Sequence, residues 1–190
     1  MTRTYSVLLV LVASLTSPGV AQDSHEEKLG QVSFQTSCAP EIRSSFNRAM
    51  ALLHSFWYEA AEAAFLEIAE ADPECAMAHW GVAMTAVHPL WPGTPNYEKG
   101  KRATAKAVAL GGGTPQEKGH IDAVSKIFVG PEPPDYPARE KAFERVMADL
   151  HAQFPDDSEI AIFYALALTA TAPPEDKNYT NQRKAALGRK

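Results

Sequence analysis

Strand signals are nearly absent from this chain, and a phosphate-cradling lysine loop, a nucleophile elbow and a paired zinc motif are missing, each of which removes a class of chemistry. The glycine run Gly111 to Gly113 lacks the lysine and hydroxyl of a P-loop; between a helical stretch and Thr114-Pro115 it reads as a helix stop. Cysteine is scarce. The chain has 2, Cys38 and Cys75, without the CxxC spacing of a dithiol redox enzyme. Positive charge is also in deficit, with 18 Lys and Arg against 23 Asp and Glu and a formal charge of −5, which does not favour phosphate backbones or anionic lipid. Nucleic acid is therefore not an expected partner. Beyond the first 21 residues no apolar run approaches the ~20 residues that a membrane span requires. No nucleophile or acid/base pair stands out, so an enzyme is not expected.

What is present begins with an export signal. Met1 to Ser6 carries one Arg, "VLLVLVASL" is a short apolar run, and "SPGVA" ends in small residues with Gly19 and Ala21 at the two selective positions. Cleavage is expected before Gln22, which leaves 17 basic residues against 23 acidic ones. An uncleaved anchor is the alternative, and the shortness of the run speaks against it. An exported chain of 190 residues, with 45% hydrophobic residues, can bury a sizeable core in an oxidising compartment, where its two cysteines make a natural pair.

After a polar leader over residues 22–37, apolar residues recur at helical spacing. Helices are expected over "RSSFNRAMALLHSF", "YEAAEAAFLEIAEA", "CAMAHWGVAMTAV", "EKGKRATAKAVAL", "QEKGHIDAVSKIF", "AREKAFERVMADLHAQF" and "SEIAIFYALALTA", with "NQRKAALGRK" as a further one. Thr114-Pro115-Gln116-Glu117 has the form of a capping box with proline at the first helical position, and Asp72-Pro73-Glu74 and Asp156-Asp157-Ser158 read as acidic helix starts. The glutamates at 59, 62, 67 and 70 read as the solvated face of one helix.

Paired helices invite a search for a repeat. Ala61, Phe65 and Pro73 stand at the spacing of a second helix of a tetratricopeptide repeat (TPR), and Ala49 and Ala83, 34 residues apart, fall where that repeat wants a small residue. Ala103 and Pro115 repeat the roles of Ala61 and Pro73 after an interruption at "HPLWPGTPNYEKG". The large aromatic expected early in the first helix is missing at Ser45 and His79, with Trp80 one residue late. From Gly30 onward the chain resembles exported bacterial TPR proteins that share the blocks "LLHSF", "DPxCAMAxWGxAM" and "HPLW". Those relatives are longer and continue into histidine-rich segments, so the resemblance implies a member cut short inside its last helix.

The resemblance implies an all-α, TPR-like helix-pair superhelix over residues 38–190, with a concave groove that binds a protein or peptide partner. It also sets the starts of successive first helices side by side, which would bring Cys38 to Cys75 as a structural disulfide; a catalytic or metal-binding thiol is the alternative. Met50, His54, Met84, His88 and Trp91 are the groove candidates. "MALLH" and "MTAVH" each place a methionine four residues before a histidine on one helix face, so Met50, His54, Met84 and His88 also form a candidate Cu(I) set, soft thioether with imidazole. Against it, repeats echo their own core residues and methionine commonly fills gaps. No other cofactor is expected. His79 reads as a partly buried helix histidine, Trp57 and Trp80 as core or repeat contacts, and His25, His120 and His151 stand apart.

Overall fold

The computed structural model describes residues 29–90, 95–132 and 134–187. After a 3-10 turn at Pro40–Ile42, eight helices follow: α1 (Arg43–His54), α2 (Tyr58–Ala71), α3 (Ala76–Met84), α4 (Tyr97–Leu110), α5 (Pro115–Phe128), α6 (Tyr136–Gln153), α7 (Ser158–Ala170) and α8 (Thr180–Leu187). No strand occurs among the described residues, as expected from the sequence. No described helix is long and apolar enough to cross a membrane. The expected export signal, His25 and Trp91 lie outside the described residues.

Four of the helices have a local reason to start. Thr114 accepts from the Glu117 amide and the Glu117 carboxylate returns to the Thr114 amide, completing the capping box of α5. Asp157 accepts from the amides of Glu159 and Ile160 and caps α7; Asp135 and Asn96 do the same for α6 and α4. Gly111, at φ 85°, ends α4 in the left-handed region that glycine enters without a Cβ penalty. Asp72 departs from expectation. It caps no helix, because the N-cap of α3 is Cys75, and its carboxylate instead accepts from the Ala39 amide at 2.8 Å.

Consecutive helices pack against one another along the chain, and α3 also meets α5. Close approach is bought by small residues: a Cβ on Gly81 of α3 would collide with the Phe65 ring of α2, and one on Gly100 of α4 with the Phe128 ring of α5. Ala49, Ala61 and Ala83 are likewise fully buried. The odd-numbered helices converge on an aromatic cluster. Phe46 (α1), Trp80 (α3), His120 (α5) and Phe163 (α7) are all buried there, and Phe34 from the leader joins them, 5.4 Å from Phe46 and 5.6 Å from Trp80.

The leader thus reaches the core through Phe34, with Leu29, Val32 and Cys38 packed against it. The Phe34 amide donates to Asn47 Oδ1 at 3.0 Å, and the Ser37 amide and hydroxyl both donate to the buried Glu117 carboxylate, at 2.6 and 2.7 Å. Cys38 and Cys75 follow, their sulfurs 2.03 Å apart, so the disulfide staples the leader to the head of α3. Trp80 is core, as expected; Trp57 is not. It sits in the turn before α2 with 49% of its surface exposed.

Candidate functional site

The turn between α1 and α2 shapes an apolar hollow. As α1 ends, the Trp57 amide donates back to the Leu52 carbonyl and the Phe56 amide to Leu53, which forces Phe56 to φ 59°. A bulky residue there is strained, since glycine usually takes this role. The reversal leaves His54 at the open end of α1. Its Nε2 lies 2.8 Å from Oε2 of Glu159, in the first turn of α7, and its ring lies 5.4 Å from that of Phe163. Glu159 is buried, and its carboxylate meets the end of α1 through His54.

Beside this pair opens a cavity of ≈ 590 Å³. Val32 of the leader, Leu53 of α1, Met84 at the end of α3, Ile162 and Leu166 of α7 and Ala185 of α8 are among its apolar lining. That volume and apolar lining are those of a ligand pocket, and the imidazole–carboxylate pair is its polar handle. His54 makes no hydrogen bond to a hydroxyl or thiol among the described residues.

The four groove candidates among the described residues do not share one place. His54 and Met84 line the cavity; Met50 is fully buried in the core. His88, at φ 48°, stacks on Tyr58 with ring centroids 4.2 Å apart and lines a separate surface cleft with Trp57, Glu62 and Lys99. Phe56 and Tyr58 form part of both hollows. Repeat-equivalent positions diverge here because α3 ends at Met84, four residues before His88, whereas α1 runs through to His54 itself. Trp91 lies outside the described residues.

The Cys38 and Cys75 sulfurs are bonded, and the neighbouring Asp72 carboxylate, within 4.8 Å of both, is held by the Ala39 amide. His79 is half-buried; burial, with Lys106 nearby, lowers its pKa from the usual imidazole value. Sequence reasoning did not single out Glu159, and it read Glu117 only as the closing member of a capping box. Glu159 follows a capping aspartate by two residues, which marks a helix start but not the histidine 105 residues away that it meets. Comparison with protein-family models, with curated proteins and with solved structures returned no match to this chain.

Proposed function

We propose that this chain is an exported, TPR-like helical-repeat module that binds an apolar segment of a protein or peptide partner in the cavity between α1, α7, α8 and the leader. Support for the repeat reading comes from the nearest-neighbour packing of the helices, the added contact of α3 with α5, and the burial of Ala49, Ala61, Phe65, Ala83 and Ala103, the positions of the repeat pattern. The observation that carries the function is the ≈ 590 Å³ cavity, apolar on most of its wall and fitted with a single imidazole–carboxylate pair. Such a wall gains free energy by covering an aliphatic or aromatic side chain, and the pair offers acceptors to a backbone amide beside it. An enzyme reading has no comparable support. The Cu(I) reading loses support from the separation of Met50 and His88 from the pair that shares the cavity.

Ala165 lines the cavity from α7 and is half-buried, so Ala165→Trp fills the space without disturbing the core beneath. Peptides selected by panning on the oxidised protein should bind Ala165→Trp at least about tenfold more weakly than wild type, at unchanged melting temperature. Failure to select any peptide, or equal affinity for the two proteins by fluorescence anisotropy, removes the cavity as the binding site.

A further inference from the structure

Cys38, Asp72 and Cys75 meet where the leader passes the junction of α2 and α3, and one donor atom of each, two sulfurs and a carboxylate oxygen, all lie within 4.8 Å of one another. Among the described residues no other set of three histidine, cysteine, aspartate or glutamate side chains converges in this way. The disulfide accounts for the two sulfurs but not for the carboxylate. Asp72 ends α2 and its backbone carbonyl accepts from the Cys75 amide at 3.0 Å, so one tight turn carries both the carboxylate and the Cys75 sulfur. Two donors separated by two residues have the spacing of a metal knuckle, and Cys38 adds a third donor from the leader.

The carboxylate is oriented but not consumed. Its Oδ2 accepts from the Ala39 amide at 2.8 Å, Oδ1 meets no donor among the described residues, and no cationic side chain there pairs with it. A fixed second oxygen holds the first in place, as outer contacts do for metal ligands. Cys75 is buried, whereas Cys38 and Asp72 are partly exposed, so an ion can reach the cluster from their side.

While the disulfide stands, the two sulfurs are spent on each other. A dithiol reductant opens the bond by two exchange steps and leaves as its own cyclic disulfide, two electrons and two protons having passed to Cys38 and Cys75 as thiols. A divalent ion then displaces both thiol protons. Three anionic donors this close repel one another unless a cation stands between them. Sulfur donors disfavour Mg²⁺ and Ca²⁺, and two thiolates with one carboxylate make three corners of the tetrahedron that Zn²⁺ adopts, the fourth falling to water.

We infer that reduction of the Cys38–Cys75 disulfide opens a Zn²⁺ site made of the Cys38 and Cys75 thiolates and the Asp72 carboxylate, and that oxidation closes it. None of the three residues lines the apolar cavity, and the inference does not depend on the proposed function.

The test takes the full chain, reduced with a dithiol and freed of it in the absence of air, and uses Co²⁺ as a spectroscopic stand-in for Zn²⁺. Reduced wild type should bind one Co²⁺ per chain with a sulfur-to-cobalt charge-transfer band, Zn²⁺ should displace it, and the oxidised chain should show no such band. Asp72→Asn, which keeps both sulfurs and an acceptor for the Ala39 amide, should bind at least about tenfold more weakly, and Cys38→Ser should also lose part of the band. Because reduction itself loosens the leader, the urea midpoint gives a second readout: Zn²⁺ should raise it in the reduced chain and leave the oxidised chain unchanged. No charge-transfer band in the reduced chain, one ion shared between two chains, or wild-type affinity in Asp72→Asn overturns the inference, as does a reduced midpoint that Zn²⁺ leaves where it was.

Discussion

Burial against Phe34, Trp80 and Phe163 takes water from the His120 ring and lowers its pKa from 6.5 to about 4, with Asp157 opposing. Because the folded value is the lower one, the unfolded chain takes up a proton first as pH falls. Stability is therefore full above about pH 6.5 and is lost progressively between there and about pH 4, by about 3 kcal/mol if the whole shift is realised. Carboxylates titrate over part of the same range, so the contribution is read as a difference. Urea unfolding of wild type and His120→Phe across this window should show the wild-type curve falling more steeply, and parallel curves would mean that His120 titrates alike in both states. Nothing in the sequence marks His120 for this role. It stands in α5 among residues at ordinary helical spacing, and the rings that enclose it come from the leader, α3 and α7.

Helix starts were legible wherever the signal was local. The capping box at Thr114 and the aspartate at 157 act as read, because a cap is made by residues two or three apart. Asp72 shows the limit of that inference. An acidic residue before a proline reads as a cap, yet its carboxylate found the Ala39 amide, 33 residues back, when the disulfide brought the leader alongside. Glu117 combines both kinds of contact. Its carboxylate accepts from Gly113 and Thr114 within its own helix start and from the Ser37 amide and hydroxyl, 80 residues away. Removing it leaves four donors without their acceptor at a site that is 1% exposed, so Glu117→Ala should cost about 2 to 4 kcal/mol. Glu117→Gln, which keeps the shape but loses the charge, should cost less. Amide exchange gives the specific check: protection should fall at Ser37, Gly113 and Thr114 together, and loss at the helix start alone would show that the leader is held by other contacts.

Across the molecule, the leader is tied by three kinds of bond: apolar at Phe34, polar at Ser37 and covalent at Cys38. The covalent one closes a loop with a sequence separation of 37, which in the chain-entropy account stabilises by about 4 kcal/mol. Reduction should lower the urea midpoint accordingly, measured with and without a dithiol reductant; an unchanged midpoint would mean that packing at Phe34 and Ser37 already confines the leader. The order of the helices, their capping and their apolar faces were set by the sequence alone, because a periodicity of 3.6 and a two- or three-residue cap are short-range properties. The pairing of Cys38 with Cys75 was legible too, there being no third cysteine to choose. The site was not. His54 meets Glu159 only because α1 and α7 are brought together around Phe34, Trp80 and Phe163. The repeat echo of Met50, His54, Met84 and His88 left a shared core role or a common site open: the matching helix ends early, at Met84, and His88 lies against Tyr58. Side chains equal in sequence position face one point only when the backbone beneath them continues alike, and packing between helices decides that.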